Sequence, residues 1–310
     1  MNVCWKIFLA LLIFSSCSND SKSNNAVVVT RHHLATDIGA EILKNGGNAI
    51  DSAVAVAFAL AVVNPSAGNL GGGGFMLYYD ADDEKTFALD YRERAPQNAT
   101  EKMFLNKEGD VIKGLSLNSY LASGVPGTVK GMFKAHNLFG SIPIENLIDP
   151  AIKIAKDGFT LSNFQASNFN KYKKKFLNGS DSESIFIKEG GFKEGDIFIQ
   201  ADLAKSLELI QSRGEKVFYE GKLADKIIED FAQNGGLISS EDLLNYKVYL
   251  KDPICGIYKE YDVCSMPLPS SGGVAIIQML NIIENFDLKN YSHNSLEYIE
   301  LLMNIMSFAY

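Results

Sequence analysis

The apolar positions of this chain repeat with a helical period in some stretches and form short strand-like runs in others. Over 34–44 they lie on one face of a helix, which two glycines would end. The stretch 48–63 begins with an asparagine and is then apolar on nearly every side, so we expect a capped helix buried in the core. The runs 75–79 and 86–91 predict two strands joined by a polar turn.

The later part of the chain is predicted to be mainly helical, whereas the apolar run 26–30 predicts a buried strand. Ser240 and Asn294 stand where two helices would begin, and Glu297 completes a capping-box pattern with Asn294. The helices that we expect here are 149–156, 201–212, 222–233, 241–246, 274–284 and a last one that is still periodic at Tyr310.

The composition is that of a globular protein. Its 310 residues are 46% hydrophobic and 21% charged, which allows one large domain or two small ones and excludes a disordered chain. The net charge of −8 argues against binding nucleic acid through overall charge. Four histidines, including the doublet His32-His33, and four cysteines form no zinc-binding pattern, so we expect no metal and no cofactor. Against 25 lysines there are only four arginines: Arg31, Arg92, Arg94 and Arg213.

The N-terminus has the features of an export signal. The apolar run 7–14 is too short to span a bilayer, which needs about 20 such residues. The segment Phe14-Ser15-Ser16-Cys17 resembles a bacterial lipobox, so we expect a lipoprotein signal peptide over 1–16, lipidation of Cys17 and a polar tether over 17–25. An ordinary secretory signal or a buried N-terminal helix are the alternatives. We therefore expect an exported protein of the bacterial envelope or periplasm, held at the membrane only by its lipid.

Export would place Cys255 and Cys264 in an oxidising compartment. The segment between them alternates like a hairpin, and a two-residue loop at Lys259-Glu260 would place the cysteines opposite each other. Both a cross-strand disulfide and two packed free thiols are compatible with this pattern. Because the loop lacks Asn-Gly chemistry, we expect the free thiols.

A glycine-rich segment, 68–74, follows the second predicted helix. It lacks the Gly-Lys-Ser/Thr ending and the following helix of a phosphate loop, and the preceding strand of a Rossmann loop. We therefore expect close packing at a helix-to-strand corner rather than nucleotide binding.

Two of the four arginines lie two residues apart in the segment 90–96. In an extended chain Arg92 and Arg94 would point the same way. Arginine binds a carboxylate through two parallel hydrogen bonds, so the pair could bind a carboxylate ligand. The alternative is an ordinary surface ion pair with Asp90 or Glu93.

The segment 269–273 (Pro-Ser-Ser-Gly-Gly) precedes a predicted helix. Its serines could offer hydroxyl and amide groups to an anion, or could simply cap the helix.

Together these segments resemble the gamma-glutamyltransferase (glutathione hydrolase) family. The resemblance runs from about residue 26 to the end, in the order of the family. Its motifs are 42–55 (ILKNGGNAIDSAVA), Asn64-Pro65, 68–77 (GNLGGGGFML), 90–96 (DYRERAP), 122–129 (ASGVPGTV), 155–159 (AKDGF), 234–238 (NGGLI) and 269–273 (PSSGG).

The resemblance implies an α/β (α+β) protein with the N-terminal-nucleophile hydrolase fold, in which two sheets lie between helix layers (αββα). It also implies a precursor that cuts itself into a large and a small subunit. The first threonine of the small subunit would attack the γ-glutamyl amide of glutathione, with its own amine as base, and water or an amino acid or peptide acceptor would then take the γ-glutamyl group. Arg92 matches the family position that binds the α-carboxylate of this group, whereas Arg94 lies at a variable position.

The last threonine of this sequence is Thr160, so the resemblance assigns no catalytic residue to the chain and places the nucleophile beyond Tyr310. We therefore expect residues 26–310 to be an incomplete large-subunit domain that is inactive alone. A related acylase that cleaves other carboxylate-bearing amides, or a non-catalytic binding protein of the envelope, are the alternatives.

Overall fold

The computed structural model describes residues 26–178 and 185–310. The predicted signal peptide (1–16), the tether (17–25) and the lipidation site Cys17 lie outside the described residues. Within the described part, every helix is too short or too polar to cross a bilayer.

Helices dominate the described residues, and the strands are short. The helices are α1 (His33–Lys44), α2 (Ala49–Val63), α3 (Leu115–Asn118), α4 (Thr128–Phe139), α5 (Ile144–Asp157), α6 (Asn163–Asn178), α7 (Ala201–Arg213), α8 (Lys216–Tyr219), α9 (Lys222–Gln233), α10 (Ser240–Asn245), α11 (Ser271–Ile283) and α12 (Leu296–Ala309). The strands are β1 (Phe75–Asp80), β2 (Lys85–Asp90), β3 (Phe159–Thr160), β4 (Ile197–Phe198), β5 (Tyr249–Lys251), β6 (Ile254–Tyr258) and β7 (Tyr261–Ser265).

The main hydrophobic core lies between α1, α2, α5 and α7, which pack against one another in that order. At its centre is α2, whose Val54, Phe58 and Val62 are fully buried, as the apolar run predicts. This helix begins with a capping box, because Asn48 accepts from the N–H of Asp51 while Asp51 accepts from the N–H of Asn48. The predicted capped core helix is therefore confirmed.

A three-stranded antiparallel sheet has β2 in the middle, between β1 and β5. At one end of this sheet Asp90 stands opposite Phe75 on β1 and opposite Tyr249 on β5. Two further strand pairs, β3–β4 and β6–β7, lie apart from it, and α11 packs on β6–β7. The end of β2 is thus held by a neighbouring strand on each side.

Several predicted helix starts were wrong by one to five residues. The largest error is at α5, which begins at Ile144 rather than at position 149. Ser239, not Ser240, caps α10, and Ser295, not Asn294, caps α12; each hydroxyl accepts from the N–H three residues later. Asn294 instead has a φ of 58°, in the left-handed region that asparagine tolerates, and turns the chain before the helix. The helix α11 begins at Ser271 rather than at Val274.

The predicted buried strand over 26–30 is also wrong. No strand of the described residues pairs with this segment, and Val27 and Val29 are 82% and 86% exposed. An apolar run forms a strand only where a partner supplies backbone hydrogen bonds, and the sequence pattern of one segment does not reveal whether it has one.

Cys255 and Cys264 form a disulfide, which corrects the expectation of free thiols. They stand directly opposite each other in the β6–β7 register, with Cα atoms 4.1 Å apart. The two-residue loop is where it was predicted, and Lys259 adopts a φ of 54° in it. The hairpin therefore closes without glycine, and the objection based on loop chemistry does not apply.

Candidate functional site

Three of the sequence motifs meet at the end of β2. The segment 90–96 lies between the glycine-rich segment 68–74 and the segment 124–128. Gly74 and Tyr91 exchange backbone hydrogen bonds of 3.2 and 3.1 Å, and Arg94 and Val125 exchange bonds of 3.2 and 2.7 Å. The 68–74 and 124–128 segments also bind each other, through an N–H of the latter that donates to the carbonyl oxygen of Gly72 at 2.7 Å. The arginine-bearing segment is thereby fixed along both of its edges.

Glycine is required at this junction because backbones approach closely. A Cβ atom on Gly73 would lie 2.5 Å from the carbonyl oxygen of Tyr91 and 2.7 Å from the amide nitrogen of Glu93. A Cβ on Gly127 would overlap that same carbonyl oxygen and the phenol oxygen of Tyr246. The predicted role of the glycine-rich segment in close packing is confirmed.

Asp90 organises the charges of the site. Its carboxylate is fully buried and accepts three hydrogen bonds: from the N–H of Arg92 at 3.2 Å, from the guanidinium of Arg94 at 3.1 Å and from the ammonium of Lys251 at 2.8 Å. Burial alone raises the pKa of this carboxyl. The hydrogen bonds and the two cations outweigh burial, so the pKa of Asp90 lies below its ordinary value.

The two arginines of this segment do different things. Arg94 is committed to the protein, because its guanidinium binds Asp90 and lies over the ring of Tyr249, 4.9 Å from its centre. Arg92 is exposed, and no carboxylate or carbonyl of the described residues accepts a hydrogen bond from its side chain. Its guanidinium lies 5.8 Å from the centre of the Phe75 ring. Of the two alternatives, the ion pair with Asp90 is the one found for Arg94, and the guanidinium of Arg92 takes no part in it.

Two buried tyrosines support the arginine segment from behind. Tyr246 donates to the carbonyl oxygen of Arg92 at 2.9 Å, and Tyr219 donates to that of Pro126 at 3.0 Å. Their rings stack with centres 5.9 Å apart. Burial raises the pKa of both phenols, so both are neutral donors at physiological pH. Both tyrosines lie outside every sequence motif, in α8 and after α10, so no pattern in the sequence indicated them.

The 269–273 turn is joined to this site by a lysine. Lys251 donates to the carbonyl oxygen of Leu268 at 2.8 Å and at the same time to Asp90. Ser270 takes the N-cap position of α11, but its hydroxyl makes no capping hydrogen bond. The predicted capping role of the serine side chain is therefore not found, and the exposed Ser271 lies at the start of the helix.

The histidine doublet lies elsewhere and has a local role. His32 accepts from the N–H of Leu34 and so caps α1, and its ring stacks on that of His33. Burial and the neighbouring His33 lower the pKa of His32. Among the described residues, no three histidine, cysteine or acidic side chains are close enough together to hold a metal ion.

Known proteins are similar to this chain over most of its length. The chain is 46% identical over 291 residues to the glutathione hydrolase proenzyme of Escherichia coli strain K12, and 33% identical over 304 residues to an acylase ACY 1 proenzyme of Pseudomonas sp. strain SE83. These matches cover 93% and 96% of the chain, but the chain spans only about half the length of these curated relatives (50% and 54%).

The fold comparison agrees. The crystal structure of the Helicobacter pylori gamma-glutamyltranspeptidase matches 92% of this chain and 82% of that chain, with a TM-score of 0.89 and 45% identity. This likeness confirms the predicted fold class, that of the N-terminal-nucleophile hydrolases with mixed helices and strands. The sequence profile described as Gamma-glutamyltranspeptidase matches residues 35–310. The chain therefore belongs to the gamma-glutamyltranspeptidase family.

Proposed function

We propose that this chain forms the γ-glutamyl-binding part of a glutathione hydrolase, or gamma-glutamyltransferase, in which Arg92 binds the α-carboxylate of the γ-glutamyl group. The observation that carries this proposal is the contrast between the two neighbouring arginines. Arg94 is neutralised by Asp90, whereas the guanidinium of Arg92 stands free on a fixed backbone. A free, planar cation on a rigid support suits a carboxylate, which it binds through two parallel hydrogen bonds.

The reaction proposed for the whole protein follows the family resemblance. The N-terminal threonine of a small subunit from the same precursor attacks the γ-glutamyl amide, and its amine takes the hydroxyl proton. The protonated α-amine then gives this proton to the leaving nitrogen, which departs as an amine while a γ-glutamyl ester forms on the threonine. Water or an amino acid or peptide then takes the γ-glutamyl group. Arg92 holds the carboxylate end, so that the amide carbonyl is presented to the nucleophile in one orientation.

The threonine nucleophile is not among the described residues of the site. The last threonine of the sequence, Thr160, lies in β3, where it pairs with Ile197 of β4. It is internal to the chain and belongs to a strand pair apart from the Arg92 sheet. We therefore propose that the chain acts with a second segment that supplies the threonine.

The test uses p-nitroanilides and the protein purified from expression at its native locus. γ-Glutamyl-p-nitroanilide carries the α-carboxylate, and 4-aminobutyryl-p-nitroanilide lacks it. Since charge-assisted hydrogen bonds contribute about 1.5–3 kcal/mol, Arg92→Ala should raise the KM for the γ-glutamyl substrate about 10- to 100-fold. It should leave the poor rate on the aminobutyryl substrate unchanged.

Arg213→Ala is the matched control, because Arg213 is an exposed arginine at the end of α7 and forms no ion pair among the described residues. It should leave both substrates unaffected. An Arg92→Ala protein with an unchanged KM for the γ-glutamyl substrate would refute the assigned role.

A related acylase activity is the second candidate, because the chain also matches an acylase proenzyme. Glutaryl-p-nitroanilide keeps the carboxylate of the substrate and lacks the α-amine, so Arg92 would serve it equally well. A protein that prefers the γ-glutamyl over the glutaryl substrate is a γ-glutamyl enzyme. The reverse preference assigns it to the acylases.

We also propose that the protein is exported, with a signal peptide over 1–16 and a lipid on Cys17. Cys17→Ser should then release the protein from the membrane fraction after cell breakage. A wild-type protein whose mature mass carries no lipid would contradict the anchor while leaving export itself open to a separate fractionation test.

A further inference from the structure

We propose that Lys251 is a positioning residue for Arg92: by binding Asp90 and the Leu268 carbonyl together, it fixes the arginine segment against the 269–273 turn. This inference rests on the proposed role of Arg92 in binding a carboxylate. It adds a residue that belongs to none of the sequence motifs.

The geometry of Lys251 is that of a bracket between two segments. Its ammonium nitrogen lies 2.8 Å from Oδ2 of Asp90 and 2.8 Å from the carbonyl oxygen of Leu268. The other carboxylate oxygen of Asp90 accepts from the N–H of Arg92 at 3.2 Å. One carboxylate and one ammonium therefore connect the backbone of Arg92 with the start of the 269–273 turn.

The sheet register explains why the lysine reaches both partners. Lys251 ends β5 and stands opposite Ala88 of β2, so it lies diagonally across from Asp90 on the same face. Tyr249, two residues earlier on β5, stands opposite Asp90, and the cations of Arg94 and Lys251 lie 4.9 and 5.8 Å from the centre of its ring. Lys251 is thus placed by a strand, and Arg94 by the backbone bridge between it and Val125.

The charge count separates Lys251 from an ordinary ion pair. Asp90 is fully buried, and the guanidinium of Arg94 already balances its charge. Lys251 is a second cation on the same oxygen, and its side chain is 30% exposed. The three groups together carry one net positive charge, so Asp90 has no charge left over to neutralise Arg92. Of the two cations, Lys251 also binds the carbonyl oxygen of Leu268, whereas Arg94 does not.

The experiment replaces Lys251 with Met, which keeps most of the length of the side chain and removes its charge and its donors. Because the lysine acts through Arg92, the KM for γ-glutamyl-p-nitroanilide should rise about 3- to 10-fold, the size expected for one lost hydrogen bond. The kcat should change less than the KM, and the KM for 4-aminobutyryl-p-nitroanilide should stay the same. Lys251→Arg, which can still reach both acceptors, should restore most of the loss.

A double variant separates positioning from general support. In an Arg92→Ala background, Lys251→Met should not raise the KM for the γ-glutamyl substrate any further, since its effect passes through Arg92. Lys188→Met is the control, because Lys188 makes a single 2.7 Å ion pair with Asp196 far along the chain from the site. An equal loss on both substrates, or a full additional loss in the Arg92→Ala background, would overturn the proposal.

Hydrogen exchange distinguishes a failure of this inference from a failure of the proposed function, since it needs no substrate. Lys251→Met, or the milder Lys251→Gln if the first variant folds poorly, should speed exchange at the Arg92 amide and within 270–273, but not within α5. If the wild-type protein does not act on γ-glutamyl amides, faster exchange still supports the bracket while the proposed function falls. Unchanged exchange refutes the bracket whatever the activity.

Discussion

The phenol of Tyr246 donates a hydrogen bond of 2.9 Å to the carbonyl oxygen of Arg92, 154 positions earlier in the chain. Asp90 accepts from the N–H of the same arginine, so both backbone polar groups of Arg92 are bound by buried side chains while its guanidinium is free. The backbone of a binding residue held in this way loses little further freedom when a ligand arrives, which favours affinity.

Tyr246→Phe tests this support directly. The change removes one hydrogen bond and leaves the Arg92 carbonyl unpaired by the protein, so we expect a loss of about 1 kcal/mol in stability and a KM for the γ-glutamyl substrate raised several-fold. Thermal unfolding and steady-state kinetics measure the two effects. Tyr261→Phe, at a tyrosine that is 62% exposed, is the control. A lower melting temperature with an unchanged KM would show that Tyr246 supports the fold without supporting the site.

Two glycines of the glycine-rich segment 68–74 give a matched pair of substitutions. A Cβ on Gly73 would press on the backbone of Tyr91 and Glu93, whereas a Cβ on Gly71 would meet nothing nearer than an Asn69 side-chain oxygen at 3.8 Å. We expect Gly73→Ala to cost about 1–3 kcal/mol, the usual range for overpacking, and Gly71→Ala to be nearly neutral. Chemical denaturation of both variants checks this. Equal stabilities would mean that the corner relaxes more easily than its contacts indicate.

Local patterns predicted the elements that depend on local chemistry. The Asn48 cap and the apolar run after it fix α2, and the glycine-rich corner follows from the absence of side chains that could hinder close approach. Of the residues that form the site, only those within a sequence motif were predicted. Arg92 stands in a recognisable segment, but Lys251 and Tyr246 join it through contacts across 161 and 154 positions, which no local pattern encodes.

The errors have the same origin. The 26–30 run has the composition of a strand, but strand formation depends on a partner elsewhere in the chain. The hairpin loop was located correctly, and the disulfide was judged from loop propensity, although the cross-strand register decides it. Helix ends and apolar faces could therefore be predicted to within about five residues, and the errors arose where the outcome depends on how one segment pairs with another.

The disulfide predicts that the hairpin is stabilised by oxidation. Alkylation of the unreduced, denatured protein should leave Cys255 and Cys264 unmodified, and reduction should expose both, as intact mass would show. Since the closed loop is short, Cys255→Ser should lower the free energy of unfolding by about 2–3 kcal/mol. The double variant with Cys264→Ser should be no less stable than the single one. Two alkylated thiols in the unreduced protein would contradict the bond.

Two buried carboxylates, Asp51 and Asp90, link the stability of the fold to pH. Asp51 accepts from the N–H groups of Asn48, Ser141 and Ile142 and from the Ser141 hydroxyl. As with Asp90, burial by itself raises its pKa, but the hydrogen bonds outweigh burial, so the pKa of Asp51 lies below its ordinary value of 3.8.

A lowered pKa in the folded state means that the unfolded chain takes up protons first as the pH falls. The stability from Asp51 and Asp90 is therefore fully present above about pH 5 and is lost as the pH falls through 3.8 toward the folded values. Asp51→Asn should lower the free energy of unfolding by about 1–3 kcal/mol at pH 7. The side-chain amide of asparagine has only one acceptor oxygen, so it cannot accept the same set of hydrogen bonds. The substitution should also flatten the decline of the free energy of unfolding below pH 4. Urea unfolding from pH 7 to pH 3 measures both effects, and parallel curves for the variant and the wild type would refute the contribution of Asp51.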